Sequence, residues 1–499
     1  MKIITMHHIL GNKVLEYDVD DRGVIVDERE IDRTVNPKPN IADWVKEHMV
    51  FWYDMSKPVD TYSQNFNDWR PYPSVNADII ITSTSFVITR FASLNDTVKC
   101  YIPSRTKNFP GMKVKVKGIV DGQEIYWGYG ADVKLVNITS DGTYDIPPLE
   151  TVKGNLSFRN GNIAGACNIT ITQLPSGQSV PTNEILKANP YLQDFSGNNR
   201  PLKLNNFLFA AMSGVGGYDI ASTNILPDRA NVTVTDNRII HITKKLSTTD
   251  NMVNIVPANS NPTHKFKVTG LSDGRQVSLV NRNGGFYTFD NGEHEVTLTY
   301  PEGTTSLYNA IGVTGDIGDM DVTIEFLPKY PNALVTDGVD DYGVVENFKS
   351  LQNYMMFFQC AIIRPVTSKG MFSTTPIEGN IKGWMLLQRN SANEVRFGNN
   401  VYKNFNVTSS IGDKISYVLS ANNELMTCYV GEEKATLAGT YKQTGANMSL
   451  FLSDNNNKTR FGSMAFYKSI LFDSVPTKET DGFTEQDLID YVLENLITK

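Results

Sequence analysis

The sequence predicts an all-β chain in which one β-sandwich domain is interrupted by two copies of a second and closed by a short C-terminal helix. Three observations lead there. From about residue 76 onward, apolar and polar residues alternate with period two, the spacing of half-buried strands. One stretch of roughly 100 residues occurs twice. The segments before, between and after the copies read in order as one further domain.

The 499 residues suffice for about three domains of roughly 150 residues each. Apolar residues make up 40%, ordinary for a core, but charged residues only 20%, so Asn, Ser, Thr and Gly fill much of the surface. The net charge of −8 and the lack of a long basic run argue against duplex nucleic acid or an anionic membrane as partner. Cys100, Cys167, Cys360 and Cys428 stand far apart with no CxxC pair, and read as buried or half-buried thiols rather than metal ligands. The opening MKIITMHHILGNKVLEYDVDD breaks its apolar stretch with histidines and turns acidic, unlike a secretory signal. No stretch reaches the roughly 18 apolar residues that span a bilayer.

Along the chain, Lys13–Tyr17 and Gly23–Val26 read as short strands, followed by the Pro-broken NPKPN. Asn40 is placed to cap a helix IADWVKEH, with Trp44, Val45 and His48 on one face. Residues 1–44 hold too few apolar side chains for a core and are expected to form either an attachment arm for a larger assembly or a peripheral strap on the first domain. MKVKVKG at 112–118 puts Met112, Val114 and Val116 on one face and lysines on the other. KVKVKGIVDGQEI at 113–125 aligns without gaps on KFKVTGLSDGRQV at 265–277, identical at six of thirteen positions. NITITQLP at 168–175 aligns on DVTIEFLP at 321–328, and VKCYIP at 98–103 on MVNIVP at 252–257. The shared Asp121-Gly122 pair predicts a tight hairpin turn. At the end, Thr484 and Asp487 form a capping-box pattern ahead of the stripe Leu488, Val492, Leu493 and Leu496.

The division that follows is 76–176 and 231–328 for the two copies, and 45–75, 177–230 and 329–499 for the interrupted domain. An insertion survives best in a surface loop whose ends lie close together.

The interrupted domain carries MVFWYDMSKP at 49–58, the turn Asp194-Phe195-Ser196-Gly197-Asn198, and the phrase Asp337-Gly338-Val339-Asp340-Asp341-Tyr342. Read together with RFGSMAFYKSILFDSVP and the terminal helix, these resemble a concanavalin A-like, laminin-G-like jelly roll. The resemblance covers about 200 residues in three pieces. It implies a lectin-like fold. It also implies a structural calcium ion near the early turn, with Asp194 and Asp337 as ligands and Asp340 and Asp341 next, because hard cations take carboxylate oxygens. The competing reading makes Asp194 and Asp337 turn caps. No other cofactor is required.

Glycan binding needs flat apolar rings with polar neighbours. Trp384, Phe397 and Tyr402 fall where the family places its binding face. Tyr126, Trp127 and Tyr129 form an aromatic cluster in the first copy, replaced by Ser278, Leu279 and Asn281 in the second. Glu479, Asp481 and Glu485 match the E-x-D-x-x-x-E spacing of glycoside hydrolases. They precede a helix instead of lying on one strand, so the chain is expected not to be an enzyme.

The overall pattern also resembles head or tail fibre and decoration proteins of phages infecting gut Bacteroidetes, including crAss-like phages. That resemblance implies a virion surface structural protein, released by lysis, probing host-surface or mucosal glycans. Its partners would be other virion proteins and itself, as a trimer. A bacterial surface glycan-binding protein is the alternative, and a glycoside hydrolase the second.

Overall fold

The computed structural model describes residues 40–499 apart from 63–69, 73–76, 83, 92–98, 102–108, 130–132, 151–155, 219, 258–261, 273, 282–284, 301–308, 365–368, 376–384, 392, 400, 423–424, 439–443, 456 and 499. Of residues 1–39 it describes the strands Ile4–Leu10, Lys13–Val19 and Ile25–Asp32. These form an antiparallel meander in which Leu10 pairs with Lys13 and Val19 with Ile25. The leading segment thus holds one strand more than its sequence pattern indicates.

Each repeat is a sandwich of two five-stranded antiparallel sheets. The first runs from Arg70–Tyr72 to Gly165–Gln173, the second from Ile220–Ile225 to Gly318–Phe326. Counted along the chain within each module, the strands of one sheet have the order 8-5-10-3-2 and those of the other 7-6-9-4-1, identically in both copies. Both modules begin before the boundaries at 76 and 231. Their first strands, RPY and IASTNI, lie at sheet edges, where no alternation marks them.

Met112, Val114 and Val116 are buried and the lysines between them exposed, as the alternation requires. Phe266 and Val268 take the same places in the second copy. The shared Gly118 and Gly270 have φ of +93° and +87°, and a Cβ there would lie 2.0 and 1.8 Å from the carbonyl oxygens of Asn168 and Asp321. Only glycine fits that conformation and that approach. The Asp121-Gly122 turn is not a hairpin. Gln123 N–H donates to the Val120 carbonyl at 2.9 Å, but the flanking strands Met112–Lys117 and Ile125–Tyr129 belong to opposite sheets. The turn crosses the sandwich; Asp273 of the second copy lies outside the described residues.

The interrupted domain is a jelly roll of two sheets. The eight-stranded sheet is centred on Ser463–Phe472, which pairs along one edge with Tyr354–Arg364. Its other edge takes two strands end to end: Leu334–Asp337 against residues 463–466, and Met49–Asp54 against residues 468–472. The facing sheet has ten strands, with Tyr191–Leu192 at one edge and Val401–Asn406 at the other. One apolar core fills the space between them, drawing on Phe51, Tyr53, Leu192, Leu204, Phe358, Phe372, Leu450 and Phe466 among others.

The insertion points explain how the host survives two interruptions. The chain leaves for the first module after Val59–Thr61 and returns through Gly177–Ser179, and these two segments pair with each other. Around the second module, Gly214 pairs with Val335 and Val215 with Leu334. Each module therefore departs and returns at adjacent points and adds little loop-closure entropy to its host.

Tyr354–Arg364 is buried on both faces over most of its length. Tyr354, Met356, Phe358 and Cys360 face the sandwich core, while Met355 and Phe357 face outward. That outer face is covered by the helix Ile41–His48 and the C-terminal helix Glu485–Val492. Asn40 caps the first, accepting from Asp43 N–H at 2.9 Å. Thr484 and Asp487 cap the second reciprocally. Trp44 is buried against Phe472 and Phe483, and its Nε1–H donates to Asp481 at 3.1 Å. A boundary at residue 44 cuts this helix in two. Its amphipathic face packs on the jelly roll, so the helix belongs to that domain and not to a separate leading segment.

Candidate functional site

Two of the six aromatic candidates lie in cores. Trp127 is buried between Phe109 and Phe158, at ring-centroid distances of 5.4 and 4.8 Å, and Phe397 is buried against Phe405 at 5.9 Å. Neither can stack on a sugar. Trp127 occupies the place that the buried Leu279 holds in the second module, which marks it as a core position of the shared fold. Tyr126 points to the other face of its strand but is also buried, with the Lys134 ammonium 4.6 Å from its ring centroid. Tyr402 is 36% exposed on the sheet-edge strand Val401–Asn406. Trp384 and the side chain of Tyr129 lie outside the described residues.

The four acidic candidates separate into two places. Asp194 acts as a clasp. Its carboxylate accepts three backbone N–H groups: Trp52 at 3.0 Å, Ser196 at 2.9 Å and Arg200 at 3.0 Å. The turn-cap reading therefore describes it, and it does not join the other three. Carboxylate oxygens of Asp337, Asp340 and Asp341 all lie within 4.8 Å of one another. Asp341 is wholly buried. It accepts from Ser213 Oγ at 2.9 Å and from the backbone N–H of Asp337 at 2.9 Å. Burial first, then the negative charges of Asp337 and Asp340, push its carboxyl up to about 7. Gly338 permits this tight loop with φ +76°, since a Cβ there would come within 2.8 Å of the Ser463 side chain. Arg364 and Lys369 donate to the carbonyls of Asp337 and Gly338. As a set of hard oxygen donors, the trio fits a calcium ion.

Two of the E-x-D-x-x-x-E residues, Asp481 and Glu485, fasten the C-terminal helix. Asp481 accepts from Trp44 Nε1 and from Thr477 N–H at 2.8 Å. Glu485 accepts from Ser420 Oγ at 2.6 Å and Tyr429 Oη at 2.9 Å.

A cleft of about 630 Å³ opens where the first module joins the jelly roll, a volume typical of small-ligand sites. Its walls come from four distant stretches. Asp60 and Tyr62 lie at the exit to the module, and Thr82 and Thr84 lie on the module itself. Asn189, Tyr191, Gln193 and Asn199 follow the short helix Asn183–Ala188, and Glu346 and Asn347 close the far side. Gln193 Oε1 accepts from Asp60 N–H at 3.1 Å, and Gln178 Nε2 donates to the Asp60 carboxylate at 3.1 Å. The Glu346 carboxylate lies beside the Tyr191 phenol. Burial raises the phenols of both Tyr62 and Tyr191, helped by the carboxylates of Asp60 and Glu346 respectively, so both rings stay neutral. The arrangement combines two half-buried aromatic rings with amides, hydroxyls and carboxylates. No motif announces it, because the interruption of the host chain is what brings its parts together. Tyr191 and Tyr402 sit on strands at opposite edges of one sheet and do not share a site.

No protein-family model and no curated protein matches the chain. Among solved structures it is similar to the IT-sialidase CBM40 of Ruminococcus gnavus bound to α2,3-sialyllactose (13% identity, 26% of this chain and 80% of that one, TM-score 0.23). It is similar also to domain 4 of an extracellular GH43 arabinanase from Geobacillus stearothermophilus in complex with arabinotriose (14%, 31% and 75%, TM-score 0.24). A third is the mouse laminin α1 chain, domains LG4-5 (10%, 52% and 90%, TM-score 0.19). At these scores the likenesses carry no argument, and the jelly roll rests on its own strand order.

Proposed function

We propose that this chain is a non-enzymatic structural protein of a phage virion surface, in a fibre or decoration role, that binds glycans through its lectin-like domain. The observation that carries the glycan reading is the cleft beside Tyr62 and Tyr191, where apolar ring faces adjoin hydrogen-bonding groups. The virion role rests on the resemblance of the DFSGN and DGVDDY phrases to phage fibre proteins, with self-association as a trimer and other virion proteins as partners. In this reading a calcium ion at Asp337, Asp340 and Asp341 is structural and stands apart from the glycan. The test is a glycan array probed with the full chain and with Tyr191→Ala. Binding by the first and its loss in the second is expected, and binding unchanged by the substitution moves the site elsewhere. Antibody labelling of purified particles tests the location.

A further inference from the structure

We infer that the cleft selects uncharged, hydroxyl-rich saccharides and turns away those ending in sialic or uronic acid; this rests on the reading of the cleft as a glycan site. Three carboxylates line it, those of Asp60, Asp194 and Glu346, and no lysine or arginine does among the described residues. Asp194 spends both oxygens on backbone N–H groups. Among the described residues Asp60 meets one side-chain donor, Gln178, and Glu346 has the Tyr191 phenol beside it, so both carboxylates keep acceptor capacity. An ionised carboxylate only accepts, so the partners such a wall satisfies are donors. Sugar hydroxyls and acetamido N–H groups are donors without charge. A sugar carboxylate offers acceptors only and brings a negative charge into a partly desolvated cleft already negative, with no cation to receive it. The walls also cross the junction between module and host, so the preference belongs to the assembled chain and not to either sandwich alone.

The experiment measures the affinity of the full chain, by calorimetry, for neutral oligosaccharides each paired with the same oligosaccharide bearing a terminal sialic or glucuronic acid. The neutral member is expected to bind at least tenfold tighter, with the gap narrowing as salt rises. The double substitution Asp60→Asn with Glu346→Gln, close in shape to the original side chains, is expected to shrink the gap from both sides, weakening the neutral member and strengthening the acidic one. An acidic member that binds as tightly as its neutral partner, or a gap unmoved by the double substitution, overturns the inference and leaves the glycan reading intact. If no member of any pair binds, the glycan reading itself falls, and the inference with it.

Discussion

The carboxylate of Asp194 accepts the backbone N–H of Trp52 at 3.0 Å across 142 positions of sequence, with a complete β-sandwich between them. It joins the first strand of the jelly roll to the turn that follows the first module. Asp194→Ala leaves the N–H groups of Trp52, Ser196 and Arg200 without their acceptor, so a loss of about 1–3 kcal/mol is expected. Calorimetry should show the jelly-roll transition lowered and the transitions of the two modules unmoved. An equal shift of every transition would mean that the clasp is not local.

Because Val59–Thr61 and Gly177–Ser179 already pair, the first module is removable. Replacing residues 62–176 by a two-residue Asn-Gly turn is expected to leave the jelly roll folded, since such a turn closes an antiparallel pair. Glycan binding should disappear, because Tyr62, Thr82 and Thr84 leave with the module. Retained binding in a folded deletion variant would place the site on the jelly roll alone.

Those two relationships show where sequence reading succeeds and where it stops. The alternation of Met112, Val114 and Val116 and the Thr484–Asp487 cap are local rules, and the structure obeys them, whereas the Asp121-Gly122 turn depends on which sheets its flanking strands join. The repeat was legible because corresponding core positions, such as Val116 and Val268, must keep the same burial in both copies. The same logic identifies Trp127 as core, since its counterpart is Leu279; aromatic content alone points the wrong way. The cleft was not legible at all. Asp60, Thr84, Tyr191 and Glu346 have no common spacing, and only the folding of an interrupted chain gathers them.

The acidic loop makes a pH-dependent prediction. The Asp341 carboxyl is raised from its ordinary value to about 7 by burial and by Asp337 and Asp340. The folded state therefore holds a proton that the unfolded state has lost between about pH 4 and 7. The stabilisation is complete below the unfolded value and is lost as pH rises through about 7, at up to about 1.4 kcal/mol per pH unit. In chelator, the melting temperature of the jelly roll should rise as pH falls from 8 to 5, and Asp341→Asn should flatten that slope. Calcium should substitute for the proton, raising the melting temperature at pH 8 and less at pH 5; a site filled at 100 times its dissociation constant adds about 2.7 kcal/mol. No calcium effect at pH 8 would leave the loop as a proton-holding turn.

The last prediction separates the arm from the helix that follows it. Among the described residues the strands of the meander Ile4–Asp32 pair with one another, whereas Ile41–His48 buries Trp44 and Val45 on the outer face of the eight-stranded sheet. Deleting residues 1–32 should therefore leave the melting of the jelly roll and both modules unchanged. Trp44→Ala should cost about 3–5 kcal/mol, because it opens a large cavity and frees Asp481 of a donor. If the meander is the attachment element of a virion protein, the truncated chain should stay folded, bind glycans as before, and fail to enter particles. Trp44→Ala should instead lower stability and assembly together. Normal incorporation of the truncated chain would put the attachment surface on the jelly roll or one of its inserted sandwiches.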